Sequence, residues 1–100
     1  MPITIISASK PIADLLSSPP GKSMPDLQPK EAKKIRRQIS VITAANSMVE
    51  IKKAHPEWRV HRYKGNVATW SFDVGGATRL LMEWDDVRKE VSNVRFENSH

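Results

Sequence analysis

The sequence predicts an α+β fold, with a helical pair packed on one face of a mainly antiparallel β-sheet. Two observations carry this. Apolar residues recur at steps of three and four from Ala32 to Ala45, then at steps of two from Ala68 to Val74, so the period changes from helix to strand. Gly75-Gly76 then joins two strand-like runs through a tight turn, which makes those runs antiparallel neighbours.

Taken in order, Ile3-Thr4-Ile5-Ile6 is short and β-branched and predicts an opening strand. Pro11 opens a brief helical turn that carries Ile12, Leu15 and Leu16 inward. Ser17-Ser18-Pro19-Pro20-Gly21 breaks it, and a loop runs on to Pro25. Ala32, Ile35, Ile39, Ile42 and Ala45 form the apolar stripe of the next helix. Pro29 sits in its first turn, where the missing N–H is harmless, Glu31 complements the positive helix end, and Asn46 marks the stop. Ser47 and Glu50 stand at capping-box spacing and begin a short helix to Lys53 or Ala54, closed by Pro56.

Beyond Pro56 the expected strand spans Trp58 to Lys64, with Arg59, His61 and Tyr63 on one side and Trp58, Val60 and Arg62 on the other. Lys64-Gly65-Asn66 is a turn. Ala68, Trp70, Phe72 and Val74 alternate with Thr69, Ser71 and Asp73 as a half-buried strand, and Gly75-Gly76 supplies the positive φ angles of the hairpin. Thr78 to Trp84 is an apolar central strand interrupted by Arg79. Asp85-Asp86 starts a connection, and Val91 to Glu97 is the last strand.

One hundred residues make one domain, spanning 1–100. No cysteine is present, so disulfides, thiolate metal sites and cysteine nucleophiles are excluded. No apolar run reaches bilayer length and the N-terminus has no secretory pattern, which predicts a cytoplasmic protein with no membrane contact. The net charge of +5 is uneven: residues 1–29 are neutral, 30–64 carry +7 and 65–100 carry −2. A basic block of this kind is the footprint of a polyanion partner, or else a solvated basic helix.

Among residues that could carry chemistry, His55 precedes a proline and caps a helix or faces water. His61 lies mid-strand beside Lys64, and His100 ends the sequence. No second imidazole stands at ligand spacing, so no metal and no cofactor is expected. Arg79 is a permanent charge in an apolar strand. It either pairs with Asp73 across the hairpin or Glu83 along the strand, or it serves as an anion contact on the sheet face.

Pro25-Asp26-Leu27, Ala44-Ala45, Val60-His61, Lys64-Gly65, Trp70-Ser71, Arg79 and the closing His100 follow one another in an order that resembles the HigB branch of the RelE/ParE superfamily of bacterial toxins. The resemblance covers residues 25–100. It implies a RelE-like fold of the microbial ribonuclease type and a ribosome-dependent mRNA endoribonuclease, the toxin half of a type II toxin–antitoxin pair. Carried over residue by residue, His61 falls at a catalytic histidine, Lys64 and Arg79 at basic positions near the scissile phosphate, and Asn98, Ser99 and His100 at the catalytic tail. Metal-free cleavage by the 2′-OH needs a base, an acid and cations for the charge that builds on phosphorus.

Under the resemblance the basic block has two compatible jobs: Lys33, Arg36, Arg37, Lys52, Lys53, Arg59 and Arg62 contact ribosomal RNA phosphates, or the same surface, or the apolar loop after Leu16, is covered by an antitoxin. The resemblance implies a small helix-turn-helix, HigA-like antitoxin, with operator DNA bound only through the antitoxin complex. The chain departs from the family's pattern in three places. The usual Asp-Tyr-His tail reads Asn98-Ser99-His100, the turn after Lys64-Gly65 lacks a second glycine, and Thr78 stands where Trp is common. A gyrase inhibitor or an inactive toxin-fold binding module is the alternative.

Overall fold

The computed structural model describes residues 2–18, 27–63 and 68–98, and its architecture is α+β. The strands are β1 (Thr4–Ile5), β2 (His61–Arg62), β3 (Thr69–Gly75), β4 (Thr78–Asp85) and β5 (Glu90–Asn98). The helices are α1 (Lys10–Ser17), α2 (Pro29–Ala44) and α3 (Met48–Ala54), with a 3-10 turn at Pro56–Trp58. The sheet order is β1-β5-β4-β3-β2. Every pairing is antiparallel except β1 with β5, which is parallel, so the mainly antiparallel expectation holds.

α2 forms as its stripe predicts, burying Ala32, Ile35, Ile39 and Ile42. Its first turn is tied by the Gln28 N–H, which donates to the Glu31 carboxylate at 2.9 Å. The start of α3 differs slightly from the expected capping box. Ser47 Oγ accepts from the Glu50 N–H at 3.1 Å, but the Glu50 carboxylate reaches past Ser47 to the Asn46 N–H at 2.6 Å. A third helix joins the expected pair: α1 spans eight residues, buries Ile12 and Leu15, and packs on β5. Leu16 is exposed there, because only every third or fourth position of a helix meets the sheet. All three helices share one core with the sheet face that carries Trp70, Phe72, Val74, Leu80, Met82, Val91 and Val94.

The expected strand from Trp58 to Lys64 shrinks to two residues. Pro56 presets a 3-10 turn, and Arg59 leaves it in the left-handed region at φ 48°, so extended backbone resumes only at His61. Lys64 itself lies outside the described residues, as does the Lys64-Gly65-Asn66 turn. In the β3–β4 hairpin the loop is Gly76-Ala77, and Gly76 alone of the two glycines has positive φ, at 54°, while Gly75 ends β3. β3 is also more buried than its alternation implies, since Thr69 and Ser71 are enclosed as well as the core side.

β5 carries a bulge that sets which side chains meet the core. Between the pairs Leu81↔Arg95 and Glu83↔Ser92, β4 advances two residues and β5 three. Asn93 takes up the extra residue at φ 51°. A strand's faces alternate at every residue, so this single insertion lets Val91 and Val94 both face the core and sends Arg95 to the opposite face.

Candidate functional site

The helices cover one face of the sheet. The other face is buried at Ser71 and Leu81 and exposed at His61 and Arg79. Register fixes what stands on this partly open face. His61, Ser71, Leu81 and Arg95 form one cross-strand row, and Asp73, Arg79 and Glu97 form the next. His61 and Arg79 therefore share a face, two strand spacings apart and two residues along, or about 12 Å between Cα atoms. The sequence pattern shows neither this proximity nor the face.

His61 is exposed, and its ring is held by a short hydrogen bond from Nδ1 to the Arg59 carbonyl. A carbonyl oxygen can only accept, so in the neutral ring Nδ1 carries the proton and Nε2 keeps its lone pair. The left-handed turn at Arg59 is what aims that carbonyl at the ring. The result is an oriented imidazole with its basic nitrogen free of this bond.

Arg79 is exposed, with Asp73 directly opposite on β3 and Glu97 directly opposite on β5. Among the described residues it forms no ion pair, neither with Asp73 nor with Glu83. Glu83 is engaged elsewhere: Arg95 Nη1 donates to it at 2.8 Å and Asn93 Nδ2 at 2.9 Å. Burial works to raise the Glu83 carboxyl, but hydrogen bonds from Arg95, Asn93 and Thr69 outweigh it and hold the group below its ordinary 4.5. Ser71 lies in the same row as His61 and Arg95, fully buried, and among the described residues its Oγ has no hydrogen-bond partner.

The basic residues expected to hold RNA divide between the two layers. Lys33 and Arg37 are exposed on α2, opposite its buried stripe, and Lys52 and Lys53 are exposed on α3. They stand on the helix side of the molecule, away from His61 and Arg79. Arg36 ties the helices together, its Nη1 donating to the Ser18 carbonyl just past the C-terminus of α1 at 3.0 Å. Arg62 stands over the Trp70 ring at 5.8 Å. Arg59 is exposed in the turn before His61. His55 caps nothing with its side chain; it stacks on Trp58 at a ring separation of 3.9 Å.

Of the expected tail, Ser99 and His100 lie outside the described residues. Asn98 points to the helix side, where Thr78 Oγ1 lies within hydrogen-bond distance of both Asn98 Oδ1 and Glu31 Oε2. Beside this trio a cleft of about 820 Å³ opens between the first turns of α2 and the β3–β4 hairpin. No spacing rule in the sequence marks it, because it joins residues far apart along the chain.

Among the described residues no group of three or more His, Cys, Asp or Glu side chains could hold a metal. No helix among them is long and apolar enough to cross a membrane. No family model matches the chain, and no curated protein matches it. Among solved structures the chain is similar to the RelBE2 toxin–antitoxin complex of Mycobacterium tuberculosis, at 18% identity and a TM-score of 0.45, over 99% of this chain and 100% of that one. At that identity and TM-score the likeness carries no conclusion about function.

Proposed function

We propose that this chain is a single toxin domain of the RelE/ParE type that cleaves mRNA on the ribosome. One observation carries the reading: an oriented His61 and an Arg79 that has no ion pair among the described residues stand exposed on the same sheet face. The order of motifs from Pro25 to His100 supports it independently. In the proposed reaction the 2′-OH loses its proton and its oxygen attacks the adjacent phosphorus. The bond from phosphorus to the 5′-oxygen breaks, and that oxygen leaves with a proton. The products are a 2′,3′-cyclic phosphate and a 5′-hydroxyl.

His61 Nε2 is suited to carry one of these two protons near neutral pH. Arg79 is suited to stabilise the added negative charge on the phosphorane through parallel N–H donors. Lys64 and His100 complete the set in this reading. The exposed lysines and arginines of α2 and α3 would hold ribosomal RNA on the side away from the reaction, so binding should weaken steeply with salt. A helix-turn-helix antitoxin would restrain the toxin in the cytoplasm.

A second reading rests on the charges around Arg79. Asp73, Glu83 and Glu97 outnumber Arg79 and Arg95 on the open face, which opposes the approach of a phosphate. This favours a toxin-fold module that binds a protein such as gyrase and cuts nothing. Inducing the protein in bacteria and mapping new mRNA 5′ ends separates the two. Discrete new ends that vanish in His61→Ala support cleavage. Growth arrest with intact mRNA supports the binding module.

A further inference from the structure

His55, a histidine that the proposed reaction does not use, stands six residues before His61. No hydrogen bond or ring contact joins the two among the described residues. The chain between them links them instead, through one aromatic stack and one strained residue. His55 is the half-buried residue that ends α3, and its ring lies flat on the Trp58 indole. The centroids are 3.9 Å apart and the planes 7° from parallel. Trp58 is buried and meets Phe72 of β3 at 6.3 Å. The His55 ring therefore fastens the end of α3 to an indole that is anchored on the sheet.

This stack lies over the turn that sets the backbone at Arg59. Trp58 N–H donates to the His55 carbonyl at 3.1 Å, and Arg59 N–H donates to the Pro56 carbonyl at 3.2 Å. A single 3-10 turn is weakly held by its own hydrogen bonds, whose geometry is poor. Arg59 leaves it at φ 48° and ψ 47°, a left-handed conformation with a steric cost for any residue that has a Cβ. Strain of this kind persists where surrounding contacts over-determine it. Here the packed neighbours are Trp58, with His55 stacked on it, and the buried Val60.

The Arg59 carbonyl is the acceptor that fixes the His61 ring. In water a neutral imidazole side chain favours the proton on Nε2, so holding it on Nδ1 works against the intrinsic preference. The tautomer at His61 thus reports the backbone geometry at Arg59. We infer that His55 is a positioning residue for His61, acting through its stack on Trp58 and the left-handed backbone of Arg59. The Glu57 carboxylate, 3.3 Å from His55 Nδ1, is exposed and contributes little to this link. What the positioned imidazole then does rests on the RNA-cleaving reading. The link itself does not.

The test is a long-range proton–nitrogen correlation spectrum of the histidine-labelled full chain at about pH 8, above the ordinary imidazole range. The two ring nitrogens differ widely in shift between tautomers, and the His61 signals are assigned by their loss in His61→Gln. The parent is expected to hold the Nδ1–H form in excess. His55→Ala should move the ratio about threefold or more toward Nε2–H, part of the worth of one hydrogen bond. His55→Leu fills the space without a flat ring; it should move the ratio the same way, and serves where His55→Ala loses its fold. His55→Phe keeps a stacking ring but not the Glu57 contact, and should stay within about 1.5-fold of the parent. Arg59→Val, disfavoured in the left-handed region, should lose the Nδ1–H excess with His55 in place.

An unchanged ratio in folded His55→Ala or His55→Leu, an equal loss in His55→Phe, or a parent with the proton on Nε2 would overturn the assignment. In the cleavage assay His55→Ala should yield about threefold fewer new mRNA ends, and His55→Phe should restore them. The tautomer is measured without RNA, so the two readings fail separately. A His55-dependent tautomer in a protein that leaves mRNA intact removes the ribonuclease reading and keeps the positioning link. New ends that require His61, beside a tautomer indifferent to His55, do the reverse.

Discussion

Gln38 ties the helix layer to the strand that carries Asp73, and replacing it gives a graded test of how that layer is held. The side chain is fully buried between α2 and β3, and its Nε2 donates to the Asp73 carbonyl at 2.8 Å. Among the described residues its Oε1 has no hydrogen-bond partner. Asp73 stands where the β3–β4 register shifts, so this bond secures an irregular point of the strand opposite Arg79. Gln38→Ala takes the donor from that carbonyl, at a cost of about 1–3 kcal/mol. It also opens a cavity of roughly a Met side chain, worth about 2–5 kcal/mol. Removing the unpaired Oε1 returns about 1–3 kcal/mol.

The net expectation is a loss of about 3 kcal/mol, or about 12–24 °C in Tm for a domain of this size. Gln38→Met keeps the volume, removes both the donor and the unpaired oxygen, and should fall within about 1 kcal/mol of the parent. Urea and thermal unfolding followed by circular dichroism measure both variants. The reasoning is refuted if Gln38→Met is as unstable as Gln38→Ala, since the hydrogen bond would then outweigh the packing. It is equally refuted if Gln38→Ala costs less than about 1 kcal/mol.

Other outcomes follow from single contacts. Because the folded Glu83 carboxyl is held below 4.5, its contribution is fully present above that pH and fades as pH falls through the lower folded value. Glu83→Gln should therefore cost about 0.5–1 kcal/mol at pH 7, a solvent-screened figure, and match the parent near pH 3 in urea melts. Ser47→Ala removes the N-cap acceptor of α3 and should cost about 1 kcal/mol by the same assay. Lys52→Ala with Lys53→Ala should lower ribosome affinity and flatten its salt dependence, measured by sedimentation at several salt concentrations, while leaving stability within about 0.5 kcal/mol.

Elements with a strong period were legible in the sequence. α2 follows its stripe from Ala32 to Ile42, and β4 follows its apolar run, because burial on one face writes itself into spacing. The segment from Trp58 to Lys64 misled, because alternation cannot register a 3-10 turn preset by Pro56 or a left-handed Arg59. The bulge at Asn93 and the parallel pairing of β1 with β5 were illegible for a different reason. Both are decided by neighbours distant in the chain, Ser7 among them, whose Oγ accepts the Asn93 N–H at 2.7 Å.

The candidate site was half legible. The chemistry of His61 and Arg79 could be read from residue type and order, but their common face needed the register through Ser71 and Leu81. Gln38 escaped notice because a polar residue beside an apolar stripe normally faces solvent, whereas here one carbonyl holds it inside. The Glu31–Thr78–Asn98 trio joins three separate elements, so no local pattern announces it.

The central claim is that His61 and Arg79 act together on RNA, and mRNA 5′-end mapping after induction tests it most directly. The parent should create discrete new ends bearing 5′-hydroxyls, and His61→Ala and Arg79→Ala should each reduce them by about 100-fold or more at equal protein level. Parent-like cleavage in a His61→Ala, His100→Ala double variant, or growth arrest by the parent with intact mRNA, would contradict it.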